Sequence, residues 1–259
     1  MSYPLLYNGN KIPAVGVAQK LLNARAGSSL VADGDFGSKT KAAVKEFQRP
    51  RGLVVDGVIG QNTWGRLKQM ADKLQIIDCV DVFDPSLNDL EAKDIVKAGG
   101  NPILIGGMSN GVEQAITEIL GTAAPGEVFL LRFHGHGNSG IAGISHGQGG
   151  FSGEHYSSIH TGNWAYMLPI ISRLRPIFGP YGCIQFMHCS TGSGPNGRQI
   201  LQNIANATGV PATAAVRTQY GGGLDTFRFE GATHTEFPDG HNLKSWSSSR
   251  PDFIGMTVP

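Results

Sequence analysis

One pattern occurs twice near the start of this chain and constrains it more than any other feature. Residues 31–40 read Val-Ala-Asp-Gly-Asp-Phe-Gly-Ser-Lys-Thr, and residues 54–63 read Val-Val-Asp-Gly-Val-Ile-Gly-Gln-Asn-Thr. The shared Val-x-Asp-Gly-x-apolar-Gly-x-x-Thr returns at an offset of 23 residues. Each copy reads as a turn released into a helix, since Asp supplies a side-chain acceptor and the following Gly takes positive φ without steric cost. Helical spacing follows at once. Thr40 to Gln48 puts Ala43, Val44 and Phe47 on one face, and Thr63 to Leu74 does the same with Trp64, Leu67 and Met70 or Ala71. A preceding segment, Val15 to Arg25, offers Val15, Ala18, Leu21 and Leu22, and Pro50 ends the second helix. The expectation is a small three-helix N-terminal domain over residues 10–74, with Asp33 and Asp56 fixing turns and Trp64 in the core.

This stretch resembles the widespread bacterial peptidoglycan-binding domain. The resemblance runs from about Ala14 to Leu74 and is carried by Gln19, Leu22, Asn23, Asp33-Gly34, Phe36-Gly37, Thr40, Ala43-Val44, Phe47-Gln48, Leu53, Asp56-Gly57, Ile59-Gly60 and Thr63-Trp64. It implies that the domain holds the protein on cell-wall peptidoglycan.

From Gln75 to residue 259 the pattern changes to alternating strands and helices. Ile76 to Phe83 reads as a strand ended by Asp84-Pro85, and Ser86 to Ala98 as a helix capped by Ser86. Pro102 to Ile105 is a short strand, followed by a helix capped by Asn110 or Ser109 and running through Leu120. Val128 to Phe133 and Cys183 to His188 are further strands, Gly197 to Ala207 a helix, and Ala212 to Arg217 a last strand. Tyr166 to Leu174 reads as a helix interrupted by Pro169, and His146 to Gly153 as a glycine-rich loop, either a lid or binding loop or plain surface. Such alternation implies an α/β three-layer domain with a mostly parallel sheet and helices on both faces. Ligands bind outside the carboxyl ends of such strands.

Two of those ends carry chemistry. The strand at Val128 runs into His134-Gly135-His136-Gly137, and the strand at Cys183 runs into His188-Cys189-Ser190-Thr191-Gly192. A cysteine nucleophile acts as the thiolate and needs a nearby base, while acyl transfer needs N–H donors aimed at the developing oxyanion. Glycine-rich backbone leaves such donors open. Cys189 is therefore the candidate nucleophile, and a histidine at the matching end of the other strand, His136 or His134 two residues earlier on the same strand face, could reach it as base. His188 points opposite to Cys189 and reads as packing or capping, and Cys79 and Cys183 read as core.

These motifs resemble the caspase-like cysteine peptidases, a group including caspases, metacaspases, legumains, separases and gingipains. Gly135-His136-Gly137 is similar to the Gly-His-Gly of metacaspases and separases, and His136-Gly-Asn-Ser-Gly140 to the loop of legumains. The resemblance spans Ile76 to Arg217 in strand order. It implies His136 as base, Cys189 as nucleophile, and the backbone N–H groups of Gly137 and Cys189 as oxyanion hole. Where metacaspases carry Asp before the cysteine, this chain has His188.

Composition narrows the alternatives. With 21 basic and 20 acidic residues, net charge +1, the chain has no electrostatic footprint for nucleic acid. No apolar run approaches the roughly 18–20 residues of a membrane span, and the start shows no secretory signal. Action at the cell wall or periplasm would then follow release by lysis or a dedicated export route. Cys183 and Cys189 on one extended segment would sit roughly 20 Å apart at about 3.3 Å per residue, too far for a disulfide. No cofactor is expected. The expected function is a peptidoglycan-targeted cysteine hydrolase, a peptidase or amidase acting on a stem peptide or a wall-associated protein, as in an endolysin or a secreted antibacterial effector. A zinc-dependent cell-wall amidase or peptidase using His134 and His136 is the alternative, although Asn138 stands where a His-x-His-x-Asp site needs Asp. A wall-anchored caspase-like domain without peptidoglycan-cleaving activity is the third.

Overall fold

Two buried glutamines, one serving each repeat, organise the helical unit. The structure is a computed structural model that describes residues 2–68, 74–106, 110–146 and 156–253. Gln19 lies in α1 (Pro13–Ala26). Its Nε2 donates to Asp33 Oδ1, Asp35 O and Thr40 Oγ1 at 2.9, 3.0 and 3.1 Å, and its Oε1 accepts from Gly34 N at 3.0 Å. Gln48, the last residue of α2 (Ser38–Gln48), repeats the arrangement at Asp56 Oδ1, Val58 O, Thr63 Oγ1 and Gly57 N, at 2.9, 2.9, 3.3 and 3.0 Å. Each repeat is thus a turn clamped by an amide from the preceding helix. Asp33 and Asp56 fix those turns as expected, accepting from the backbone two residues on, and Gly34 and Gly57 take φ of 77° and 76°.

The third helix, α3, spans Gln61–Leu67. It starts two residues before the expected Thr63, and Met70 and Ala71 fall outside the described residues. Trp64 is fully buried, donates from Nε1 to Pro4 O at 2.7 Å and stacks on Tyr3. It is core, joined there by Leu21, Phe36, Val44, Phe47 and Ile59.

Beyond the helical unit the chain runs through β1 (Gln75–Asp81), α4 (Pro85–Leu87), a π turn at Asn88–Ala92, α5 (Lys93–Lys97), β2 (Ile103–Ile105), α6 (Gly111–Thr122) and β3 (Val128–His134). Then come three short strands, β4 (Gly137–Asn138), β5 (Ile141–Gly143) and β6 (Ser158–His160). The chain continues with α7 (Trp164–Ser172), β7 (Phe178–Met187), α8 (Gly194–Thr208), β8 (Ala212–Ala215), β9 (Thr233–Glu236) and α9 (Leu243–Ser249). The main sheet has the order β2-β1-β3-β7-β8-β9, parallel except for β9. The α/β arrangement with a mostly parallel sheet is as the alternation implied. The segment after the first histidine loop, which carried no clear pattern, folds back as the antiparallel sheet β4-β5-β6. The glycine-rich loop expected over His146 to Gly153 lies almost wholly outside the described residues.

The two faces of the sheet are covered differently. Ile77, Leu131, Phe133, Ile184 and Phe186 pack beneath α6, α7 and α8. On the opposite face, Phe129, Leu130 and Cys183 join the core of the N-terminal helices. The short α4–α5 segment and Phe227 add to that side, packing Leu87, Ala92, Ile95 and Phe227 about Val80. The second helical layer is therefore supplied largely by the repeat unit. The reason is area: Phe129 and Leu130 would otherwise face water, at about 25 cal/mol for each Å² of apolar surface left unburied.

One local expectation is corrected. Asp84, not Ser86, caps the helix after β1, its Oδ1 accepting from Ser86 N at 2.9 Å. Pro85 occupies the first helical position, where its fixed φ and missing N–H cost nothing, so the cap falls one residue before it.

Candidate active site

The site forms where three adjacent parallel strands end. His134 and Met187 are the last paired residues of β3 and β7, and two residues further along each strand come His136 and Cys189. Asp84 follows β1, which flanks β3 on its other side. From β1 the chain moves outward to β2 and then back across to β3. The junction of β1 and β3 is thus the topological switch point, where ligands enter α/β sheets.

His136 and Asp84 meet there, with Nε2 at 2.7 Å from Oδ2. Asp84 is buried while the imidazole is about one-third exposed, 36%. A carboxylate at Nε2 fixes the proton on that nitrogen, so the neutral ring presents Nδ1 as a proton acceptor. Asp84 does two jobs, one oxygen on the histidine and the other on the helix cap.

Cys189 is half-buried, and its Sγ sits 3.3 Å from both the carbonyl O and the N of Gln219. The next residue, Ser190, has φ of 55°, one of two non-glycine residues at positive φ among those described. Such a conformation costs of order 1–3 kcal/mol and persists only where surroundings impose it. Here Ser190 N donates to Arg217 O at 2.9 Å and Gly192 N to Ala215 O at 2.8 Å, pinning the turn to the end of β8.

The glycines around His136 are required by close approach. A Cβ on Gly137 would lie 2.4 Å from Thr191 Oγ1 and 2.8 Å from His188 Cβ, and one on Gly135 would lie 2.5 Å from Gly143 O. The two loops are pressed together. Gly143 N donates to His136 O at 2.9 Å, which makes Gly137 and Ala142 a non-hydrogen-bonded pair of the β4–β5 ladder. In such a pair the N–H groups point away from the partner strand, so that of Gly137 is not consumed by β5.

The other histidines behave differently. His188 is fully buried against Phe186, with Nε2 donating to Gly143 O at 2.8 Å. Burial pushes its pKa down to about 3, and its Nδ1 has no hydrogen-bond partner among the described residues. His134 is buried too, held between Glu91 at Nδ1 and Asp78 at Nε2. Burial alone would lower its pKa, but the two carboxylates outweigh it and hold the ring above its ordinary value. Asp78 also binds Arg132 at 2.6 Å and Ser2, so His134 belongs to a buried charge cluster on the covered sheet face. His134 and His136 thus engage different carboxylates. Among the described residues, no three His, Cys, Asp or Glu side chains converge to hold a metal ion. All three cysteines are free, and burial pushes the Cys183 thiol up to about 12.

Sequence reasoning brought His136 and Cys189 to neighbouring loops but missed Asp84, Gln219 and the strained Ser190. Asp84-Pro85 at the end of an apolar run was the available signal for the first. Nothing in the sequence pointed to Gln219, 30 residues away along the chain.

The geometry defines a class: an α/β sheet with a cysteine and a carboxylate-paired histidine at its carboxyl edge, backed by a helical repeat unit. The comparisons with known proteins identify the repeat unit. Residues 11–67 match the family model described as "Putative peptidoglycan binding domain", so the N-terminus carries a peptidoglycan-binding domain. A zinc D-Ala-D-Ala carboxypeptidase of Streptomyces albus G is 43% identical over 56 residues, 22% of this chain and 20% of that protein. An uncharacterised protein of Kitasatospora aureofaciens is 42% identical over 67 residues, 26% of this chain and 57% of that protein. The chain therefore spans a fifth of the first relative and just over half of the second. No solved structure gives a significant match. No helix among the described residues is long and apolar enough to cross a membrane.

Proposed function

We propose that this protein is a cell-wall-directed cysteine hydrolase of caspase-like type, holding peptidoglycan with residues 11–67 and cleaving an amide bond with Cys189 and His136. The observation that carries the reading is the alignment of Asp84, His136 and Cys189 at the ends of three neighbouring strands, with the carboxylate 2.7 Å from the imidazole.

In this reading the Cys189 thiol leaves Gln219 and passes its proton to His136 Nδ1 as sulfur attacks the carbonyl carbon. The backbone N–H groups of Gly137 and Cys189 donate to the oxyanion that forms. The imidazolium, held by Asp84, returns the proton to the departing amine as the C–N bond breaks. Water then attacks the thioester, losing its proton to His136, and the acid leaves while the thiol is restored. His134 is not placed to act as the base, because both of its nitrogens are engaged by Glu91 and Asp78 inside the sheet.

The substrate is a peptidoglycan stem peptide or a protein held at the wall, and the protein acts at the wall or periplasm, as an endolysin or secreted effector does. The test is release of amino groups from purified peptidoglycan by the parent, Cys189→Ala and His136→Ala. New amines from the parent alone support wall hydrolysis. Binding by all three without release leaves the domain as an anchor and moves the substrate to a protein. The zinc alternative draws on the name of the Streptomyces relative, whose similarity is confined to a short peptidoglycan-binding stretch. It predicts loss of activity on chelation and indifference to thiol alkylation, the reverse of the cysteine reading.

A further inference from the structure

The two repeats are near copies, yet their surroundings differ. The first repeat's turn is covered by α9: a Cβ on Gly34 would lie 2.6 Å from Leu243 Cδ1 and 2.9 Å from Ser247 Oγ, and Ser248 Oγ donates to Ala32 O at 3.2 Å. At the matching position in the second repeat, Gly57, the nearest atoms belong to the Lys41 and Lys45 side chains of the helical unit's own α2. The second turn instead opens onto a groove of about 560 Å³, a volume within the range of ligand-binding clefts, roughly 300–1,000 Å³.

One wall of this groove comes from the repeat, through Val54, Gln61 and Asn62. The other comes from the α/β unit, through Leu224 and Arg228. Val54 and Leu224 are 77% and 63% exposed, an apolar pair flanking polar amides. Arg228 Nε is committed to Asp225 Oδ1 at 2.5 Å, while its terminal nitrogens hold no hydrogen bond among the described residues. The guanidinium also lies over the Tyr7 ring at 5.6 Å. The segment that supplies Leu224 and Arg228 begins at Gln219, whose backbone holds the Cys189 sulfur.

We infer that peptidoglycan is bound by the second repeat only, in a groove shared with the Leu224–Arg228 segment, with Arg228 taking a stem-peptide carboxylate. The inference rests on the peptidoglycan-binding reading of residues 11–67 and adds where the ligand lies and which residues outside the repeat unit complete the site. Peptidoglycan suits the lining. Its acetylated sugars carry apolar methyls and amides for Val54, Leu224, Gln61 and Asn62, and its peptides end in carboxylates, which a guanidinium recognises through paired N–H donors. In the first repeat α9 lies over the turn itself, and no segment corresponding to Leu224–Arg228 is needed to cover it. A ligand seated in the groove also lies against the chain segment that leads to the nucleophile.

The test uses co-sedimentation of the full chain with purified peptidoglycan. The pair Val31→Glu and Val54→Glu is matched by the repeat itself, since the two valines stand 23 residues apart and are 63% and 77% exposed. Leu224→Ser and Arg228→Gln probe the other wall, and thermal melts establish that each variant is folded. Val54→Glu, Leu224→Ser and Arg228→Gln are expected to weaken binding by about tenfold each, and Val31→Glu by less than about twofold. Equal loss in Val31→Glu and Val54→Glu overturns the restriction to one repeat. Loss in Val54→Glu with parental binding in Leu224→Ser and Arg228→Gln overturns the shared groove while leaving wall binding intact. A parent that does not sediment with peptidoglycan removes the underlying reading and this inference with it.

Discussion

Asp84 and His136 face each other across 2.7 Å from the ends of two adjacent parallel strands, and Asp84 caps a helix with its second oxygen. The dual role separates two substitutions. Asn is as good a helix cap as Asp but has no charge to hold an imidazolium. Asp84→Asn is therefore expected to keep the parental melting temperature while lowering kcat by about 10²-fold, the lower end of what acid–base assistance contributes. Asp84→Ala should lose both rate and about 1 kcal/mol of stability. Equal rates for the parent and Asp84→Asn would reduce Asp84 to a cap.

Thiol labelling should discriminate among the three cysteines. Cys79 and Cys183 are buried with raised thiol pKa values, Cys183 to about 12, whereas Cys189 is half-exposed. Iodoacetamide at pH 7.5 is expected to modify Cys189 alone in the native protein and all three in urea, read by peptide mass spectrometry. Native labelling of Cys183 would contradict the packing of the repeat unit on the sheet.

His188 predicts an acid weakness. Its folded pKa of about 3 lies below its ordinary 6.5, so the unfolded chain binds the extra proton first. The sign is fixed: the contribution is intact above about pH 6.5 and is lost progressively as pH falls towards 3. The urea midpoint of the parent should drop across pH 6.5 to 4. His188→Asn, starting from a lower midpoint, should drop with a shallower slope. Parallel slopes would mean that other groups govern acid unfolding.

Gly137→Ala should be costly for a steric reason, since its Cβ would fall 2.4 Å from Thr191 Oγ1. A destabilisation of about 1–3 kcal/mol is expected from the forced shift, with loss of turnover as the β4 loop moves from the Cys189 turn. Gly121 in α6, whose Cβ meets nothing within 4 Å, is the control, and Gly121→Ala should leave turnover unchanged and raise stability by up to about 1 kcal/mol.

The clamping glutamines give a matched pair. Gln19→Ala and Gln48→Ala each remove four hydrogen bonds to a turn. Each is expected to cost about 2–4 kcal/mol at roughly 1 kcal/mol per bond, measured by urea unfolding. Gln48→Ala should also weaken peptidoglycan binding, because its turn lines the open groove.

Much of the fold was legible because it is local. The Asp-Gly turns, the apolar faces after Thr40 and Thr63, and the strands at Ile76, Val128 and Cys183 all announce themselves within about ten residues of sequence, the range over which periodicity acts. The His-Gly-His and Cys-Ser-Thr stretches were legible as strand ends for the same reason. Asp84 was read only as the end of a strand, because its partner lies 52 residues on. The choice between His134 and His136 was open in the sequence, since both alternate to the same side. Glu91 and Asp78, brought in from other elements, engage one of them inside the sheet.

The amino-acid sequence by itself determined the repeat, the alternating strand pattern and the residue types at the strand ends. These follow from spacing and backbone propensity along one stretch of chain. Tertiary structure alone decided that the repeat unit covers one face of the sheet, that Asp84 meets His136, that Gln219 holds Cys189, and that α9 covers one repeat and leaves its twin open. Each of these joins residues far apart in the chain. They depend on how much apolar surface each layer must bury, a quantity that no single segment encodes.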